Sequence, residues 1–541
     1  MYINFGDIPG NYNLFLDYVY EFDNVKNFYK TNFRNKDEYL KVFKKISENR
    51  NVKRDQLSRI LSAQYNGFSP SAKTQKNIND LKADKTLAVV TGQQLGILGG
   101  PLYTFYKIIS AIKLSNFLSE RYDDYQFVPV FWLEGDDHDF NEVRFINLVD
   151  EKNETAKIEY GLEVDEEENR GSVGYIKFDE TINQFFSNLE KDLRKTDFTS
   201  GLMDKLRSFY SPGKSFKQSF KELIFWLFDG YGLVIFDPQD PEIKKQLIPV
   251  FIEELTNFRK HSEKLVHVSA KLEELYHAQV KVRPVNLFFS NEEGRFLIEP
   301  SEDEFKLKRK RKKFTYEELV ELINKGPENF SPNVLLRPIC QDYILPTAFY
   351  VGGPSEISYF AQVTPLYEFF KVETPIIYPR CSATIIEKNI NSVIEKFNID
   401  LKELFINPEK VKENVIRSVS QTAVDDIFGL TINQIETAFD HLKENLFELD
   451  KTISDASTKY KQKIYYYLDE LKGKAIDAQK KKYETTIRQI DKAANALYPG
   501  AILQERELNF VYFANKYGPE IINLIYEELG INKFDHQIIR L

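Results

Sequence analysis

The sequence predicts an α/β protein: a Rossmann-like, doubly wound core with two inserted connecting modules and a C-terminal α-helical coiled-coil arm. Three observations predict it. The apolar run Leu87-Ala-Val-Val90 leads into Thr91-Gly-Gln-Gln-Leu-Gly-Ile-Leu-Gly-Gly-Pro101 and then a helical pattern from Tyr103 to Leu118. The corner Gly-Gly-Pro recurs at 352–354, after Leu345-Pro-Thr-Ala-Phe-Tyr-Val351 and before an aromatic helical stretch to Phe370. Between Pro408 and Pro499 there is no proline, and apolar residues step by threes and fours. Short apolar runs alternating with helical patterns describe a parallel sheet covered on both faces, and a long three-four stepping describes a coiled-coil seam.

At 541 residues the chain is too long for one core. Residues 1–150 are expected to hold the N-terminal helices and the first half of the core, whose second strand, Phe127-Val-Pro-Val-Phe-Trp-Leu133, ends in the polar cluster Asp136-Asp-His-Asp139. A first insertion follows at 151–228, opened by the acidic run 163–168, which reads as a solvated loop. Residues 229–238 supply a core strand ending at Asp237, where an Asp-Pro turn is the expected role. A second insertion covers 239–333, with a long helical pattern to His277 and a hairpin turned at Glu293-Gly294. Within it, 306–313 is basic at seven of eight positions, enough to attract polyphosphate or RNA, although its acidic neighbours Glu302 to Glu304 suit a solvated face. Gly213-Lys214-Ser215 lacks the earlier glycine of a phosphate loop. The second half of the core is expected at 334–385, the arm at 386–499 and a segment packing back on the core at 500–541. A seam through Ile435, Phe439, Leu442, Leu446, Leu449, Ile453, Ala456 and Tyr460 predicts a helical hairpin bent near Ser454 to Ser457 or at Gly473.

Composition narrows the functional classes. Lys and Arg number 73 against 82 Asp and Glu, a net charge of -9, which argues against nucleic acid as the partner of the whole chain. Cys340 and Cys381 are the only cysteines, so neither a disulfide framework nor a four-cysteine zinc site is expected, and a cytoplasmic protein fits. No signal peptide or 18-residue apolar run is visible, so no membrane partner is expected.

The motifs Thr91-Gly-Gln-Gln, Gly99-Gly-Pro-Leu-Tyr-Thr104 with Lys107, Phe131-Trp132 with Gly135-Asp-Asp-His-Asp139, Leu336-Arg-Pro338, Gly352-Gly-Pro-Ser-Glu356, Tyr378-Pro-Arg380 and Leu503-Gln-Glu-Arg506 resemble the bacillithiol-biosynthesis cysteine-adding enzyme family, BshC, in order and over the whole length. The family's usual glycine after Gly-Gly-Pro is Ser355 here, and the His-x-Gly-His and Lys-Met-Ser-Lys-Ser signatures of class I aminoacyl-tRNA synthetases are absent. The resemblance implies a Rossmann-like core, a homodimer through the coiled-coil arm, and a ligase joining cysteine to the amine of glucosaminyl-malate. An inert carboxylate must first be activated, most simply by ATP, with no metal beyond a nucleotide-bound Mg. On this reading Gly92, Gly99, Gly100, Thr104, Gly352 and Gly353 hold the cofactor, the helix start after Pro101 and Lys107 stabilise phosphoryl charge, and His138 or an Asp beside it takes the amine's proton. Asp136 and Asp137 complete the catalytic set. Arg337 and Arg380 suit malate's carboxylates, Asp136 or Glu356 suits cysteine's ammonium, and Gln93, Gln94, Tyr103 and Trp132 complete the substrate contacts. Two alternatives remain open: a metal-dependent hydrolase or transferase using Asp136 to Asp139, and a non-catalytic coiled-coil scaffold.

Overall fold

The computed structural model describes residues 1–49, 51–162, 169–419 and 424–541, so the acidic run 163–168 lies outside the described residues. The chain divides into two compact units, 1–385 with 502–539, and 386–501 with 540–541.

In the first unit five strands form the central sheet: β1 (Thr86–Gln94), β2 (Gln126–Glu134), β3 (Val234–Phe236), β4 (Thr347–Gly352) and β5 (Ile376–Pro379). All neighbours are parallel and the order is β5-β4-β1-β2-β3. Read from the other edge this is a Rossmann order, in which the strand sequence reverses between β1 and β4 and leaves a crevice at their carboxyl ends. Leu87 to Val90 and Val130 are fully buried, because helices cover both faces and the strands need no polar side. Helix α1 (Tyr103–Arg121) packs on β1 and β2.

The expected glycine turn after Val90 is displaced. Strand β1 continues through Gln94, with Gly92 inside it, where a Cβ would press on Trp132 of β2 at 3.1 Å. The chain turns later, at Leu98, Gly99 and Gly100, whose φ angles are 51, 86 and 68°. Such backbone is natural for glycine and strained for leucine. Asn509, from the C-terminal segment, closes this corner by donating its side-chain N–H to the Leu98 and Gly100 carbonyls at 3.0 and 2.6 Å.

The first insertion carries a two-stranded sheet (Phe145–Val149 with Thr155–Glu159) and helices Thr181–Asp192, Thr199–Phe209 and Phe216–Phe228. Asp237 takes the turn role, accepting the Gln239 N–H at 2.9 Å and pairing with Lys217 at 2.8 Å. The second insertion starts with helix α2 (Pro241–Glu273), capped by Asp240, and continues as a five-stranded antiparallel sheet. Its first hairpin turns at Glu292-Glu293, one residue before the expected position, because Asn291 pairs with Gly294 and its side chain accepts the Glu293 N–H. The chain re-enters the core through helix α3 (Arg337–Ile344), and helix α4 (Pro354–Val363) joins β4 to β5.

In the second unit α5 (Val424–Leu449) and α6 (Lys451–Lys482) form an antiparallel hairpin, tied by Lys461 to Glu436 at 3.0 Å and Lys472 to Asp425 at 2.7 Å. The bend is at Asp450, not at Ser454 to Ser457 or Gly473. The Asp450 carboxylate caps α6 by accepting the Thr452 and Ile453 N–H groups at 2.7 and 3.1 Å, and Gly473 lies inside α6. The expected seam divides: Ile435, Phe439 and Leu446 are half-buried, whereas Leu449 and Tyr460 are 80 and 63% exposed.

Candidate functional site

The carboxyl ends of the core strands open into a cavity of about 810 Å3, which the second insertion walls on its other side. Gly92, Gln93, Gln94, Tyr103, Lys107, Trp132, Asp137, His138, Arg337, Gly353, Glu356 and Arg380 all line it. A contiguous cavity of about 830 Å3 shares Gln93, Gln94, Tyr103, Asp137 and His138, and adds Gly100. The residues expected at the site from β1, β2, β4 and β5 therefore meet at the crevice the strand order creates.

Several roles change with the geometry. Asp136 does not line the cavity; its carboxylate turns inward, accepting from Lys244 at 2.7 Å and Gln239 at 2.9 Å. Burial alone would raise its pKa, but Lys244, with Arg295 and Gln239, holds it below the usual range. This removes Asp136 as a cysteine contact or metal ligand. Among the described residues no group of three His, Cys, Asp or Glu side chains converges as a metal site. Asp137 does face the cavity. Its oxygens accept from the Gln94 side chain and from the His138 N–H at 2.6 Å, which holds the turn.

Lys107 is buried and its three protons are committed, to the Gly92 carbonyl at 2.6 Å, Gln93 Oε1 at 2.9 Å and Glu356 Oε2 at 2.6 Å. It pins β1 to α4 and has no donor left for a phosphoryl group. Glu356 also accepts the Gly353 N–H at 2.8 Å, which caps α4, and the Tyr350 hydroxyl. Burial opposes its charge, yet Lys107 and these donors hold it below the ordinary carboxylate range. Its expected bond to an ammonium is thereby already taken by Lys107.

The two Gly-Gly-Pro corners differ. At the first, Pro101 has no N–H, the Leu102 N–H donates to the Leu508 carbonyl at 2.9 Å, and a Cβ on Gly99 would collide with Phe105 at 2.7 Å. Thr104 is fully buried with its hydroxyl unpartnered and off the cavity. Gly99 and Thr104 thus serve packing rather than a cofactor, and of the donors expected at this corner the Leu102 N–H is taken by the C-terminal segment while the Gly100 and Thr104 N–H groups bond to the Ile97 and Pro101 carbonyls. At the second corner Gly352 packs against Tyr350 and Glu356, while Gly353, Pro354 and Ser355 border the cavity and bring the positive end of α4 to it.

The two arginines also part company. Arg380 pairs with Glu505 at 2.7 Å and lies 5.3 Å from the Tyr103 ring, with its Nε unpartnered among the described residues. Arg337 is buried, bonded only to neutral groups: Gln341 Oε1 at 2.9 Å and the hydroxyls of Tyr359 and Tyr350 at 2.8 and 3.4 Å. Among the described residues no carboxylate pairs with it. A buried guanidinium left this way on a cavity wall is a seat for an anion.

Three residues that sequence reasoning passed over complete the site. Glu134 ends β2 and accepts from Trp132 Nε1 at 3.0 Å. Burial, then Asp136, push its pKa up to about 7 against the pull of Arg337. The signal lies in the sequence, since residues two apart on a strand share a face and Glu134 stands two beyond Trp132. Arg295, of the second insertion, is buried over the Phe288 ring at 3.7 Å and held by Ser331 and the Pro332 carbonyl at 2.9 and 3.0 Å. It donates to His138 Nδ1 at 3.2 Å, so the neutral imidazole carries its proton on Nε2. Burial and Arg295 both lower the His138 pKa, which makes it a hydrogen-bond donor here rather than the expected proton acceptor. Asn169 buttresses this wall through its bond to the Arg295 carbonyl at 2.7 Å.

Residues 1–381 match the family described as "Bacillithiol biosynthesis BshC, N-terminal Rossmann-like domain", and residues 383–541 match "Bacillithiol biosynthesis BshC, C-terminal coiled-coil domain". The chain belongs to the BshC family. It is 35% identical over 530 residues to a protein of Chloroherpeton thalassium named "Putative cysteine ligase BshC", covering 95% of this chain and 93% of that one. A protein of Salinibacter ruber with the same name is 31% identical over 529 residues, covering 97 and 96%. The Rossmann-like core and coiled-coil arm are thus family features, and the names place the family in bacillithiol biosynthesis as ligases.

Proposed function

We propose that this BshC protein forms the amide between the carboxyl group of L-cysteine and the amine of glucosaminyl-malate, the last step of bacillithiol synthesis. ATP is the activating cosubstrate. The cysteine carboxylate attacks a phosphorus of ATP, displacing pyrophosphate or ADP, and the resulting adenylate or acyl phosphate is attacked by the neutral amine, releasing AMP or phosphate and the amine's proton. Mg travels with the nucleotide.

The observation that carries this reading is Arg337, a buried guanidinium without a carboxylate partner among the described residues, on the wall of a cavity of small-molecule size. Arg337 takes one malate carboxylate, and Arg380, fixed by Glu505, presents its free Nε beside it. Glu134 takes the proton from the amine, a role for which a carboxyl titrating near neutrality is suited. The His138 Nε2 proton stabilises the developing oxyanion. The exposed apolar residues Phe447 and Leu449 support a homodimer through the arm. Mass-spectrometric measurement of glucosaminyl-malate and bacillithiol in a deletion strain tests the reading. The precursor should accumulate without the gene, wild type should restore the thiol, and Arg337→Gln should not; thiol production without the gene would refute it.

A further inference from the structure

Cations outnumber carboxylates by nine to three on the lining of the main cavity, although the protein as a whole is acidic. Two of the nine, Lys107 and Arg380, are neutralised by Glu356 and Glu505. The excess comes largely from the second insertion, as Lys281, Arg283, Lys308 and Arg309 beside the buried Arg295.

The basic run 306–313 divides accordingly. Lys310 pairs with Glu293 and Lys313 with Glu304, whereas Lys308 and Arg309, which reach the cavity, pair with no acid among the described residues. Their placement is fixed by backbone: the Lys308 N–H donates to the Leu297 carbonyl at 2.8 Å, beside a strand whose Phe296 and Leu297 also line the cavity. The segment bearing Lys281 and Arg283 is pinned as firmly. The buried Gln362 side chain of α4 accepts the Val280 N–H and donates to the Val280 carbonyl, both at 2.9 Å. Two segments some 25 residues apart in sequence are thus held so that four cations without an acidic partner among the described residues line one space.

We propose that this wall of the second insertion binds the polyphosphate of a nucleoside triphosphate. At the alternative phosphate seat, the first Gly-Gly-Pro corner, the Leu102 N–H donates to the Leu508 carbonyl, the Gly99, Gly100 and Thr104 N–H groups donate to carbonyls of the corner itself, and Lys107 has no proton to offer. Four clustered ammonium and guanidinium groups match a multiply charged anion, while the single buried Arg337 matches a carboxylate. A cavity of about 810 Å3 has the dimensions of a small-molecule site, which suits a nucleotide rather than an RNA strand. The inference rests on the ATP-dependent ligase reading and assigns its nucleotide to the insertion instead of to the glycine corner.

Calorimetric titration of the full chain with inorganic tripolyphosphate, MgATP, malate and an RNA oligomer tests it. One variant combines Lys308→Gln with Arg309→Asn, asparagine being tolerant of the positive φ at 309. A second combines Lys281→Gln with Arg283→Gln, so that the result does not hang on one segment. Each should weaken tripolyphosphate and MgATP at least tenfold, flatten the salt dependence of that binding, and leave malate unchanged. MgATP should bind more tightly than tripolyphosphate if the nucleoside also sits in the cavity, and less tightly if free polyphosphate is the ligand, which would overturn the nucleotide assignment. Undiminished MgATP binding in both variants, or tighter binding of RNA than of MgATP, overturns the wall itself. If the variants lose MgATP but still restore bacillithiol in the deletion strain, the wall stands and the ATP-dependent reading falls.

Discussion

Asp136 offers a sharp separation of structure from chemistry, because the sequence placed it among catalytic residues and the structure buries it against Lys244. Removing its charge by Asp136→Asn leaves the Lys244 ammonium, 1% exposed, with the Phe330 carbonyl at 2.9 Å as its remaining strong partner. Breaking a buried pair from one side costs about 3–5 kcal/mol. Unfolding entropy of about 2.1 cal/mol/K per residue gives, for a unit of roughly 420 residues, about 0.9 kcal/mol/K, so Tm should fall by about 3–6 °C. Replacing both partners, Asp136→Asn with Lys244→Met, should recover most of that loss. The folded Asp136 carboxyl holds its proton less tightly than an unfolded one, so its contribution is present above the unfolded value near 3.9 and is lost as pH falls through the folded value. The gap between wild type and Asp136→Asn should therefore be flat from pH 5 to 8 and close only under acid. Differential scanning calorimetry, with bacillithiol measured in complemented cells, reads both properties. Full stability of Asp136→Asn together with abolished thiol production would refute the assignment and return Asp136 to the chemistry.

Arg337→Gln should weaken malate binding by about 10–100-fold, the worth of a charge-assisted hydrogen bond, and isothermal titration at fixed salt would measure it. Glu134 titrates from a folded pKa raised to about 7, so its protonated form stabilises the fold and that contribution is lost as pH rises through 7. Glu134→Gln should accordingly gain Tm relative to wild type between pH 5.5 and 8, while losing thiol production in complemented cells. Phe447→Asn with Leu449→Asn, at positions 61 and 80% exposed, should shift sedimentation from dimer toward monomer without loss of helicity by circular dichroism. A wild-type protein that sediments as a monomer at micromolar concentration would end the dimer reading.

What was legible in the sequence was the part written in local periodicity. The runs Leu87 to Val90 and Leu345 to Val351 announced buried parallel strands because both faces of the sheet are covered, and the two Gly-Gly-Pro corners announced where strands give way to helices. What was not legible depended on contacts across long sequence separations. Asn509 closes a corner some 400 residues away, Lys244 claims Asp136, and Glu505 claims Arg380. Each of these long-range partners occupies a group that the local motif left free. The hairpin bend was missed for a related reason: small residues such as Ser454 invite a break, but a side chain able to cap the next helix decides where it falls, and that residue is Asp450.

The division of labour in the cavity follows from the same distinction. The Rossmann sheet supplies rigid positions at its strand ends, but its polar groups there are largely used up: Lys107 by Glu356, Gly353 by the α4 cap, and the first corner by Asn509 and Leu508. A crevice so internally satisfied holds its shape without a ligand and has little left with which to bind one. The unspent charge lies on Arg337, at the re-entry from the second insertion, and on that insertion's own cations. On the proposed reading, binding specificity falls to the inserted module, while the core fixes where Glu134 and His138 stand. Substitutions on the insertion wall should accordingly change ligand affinity with little effect on stability, because its unpaired cations are exposed or half-buried and carry little packing energy.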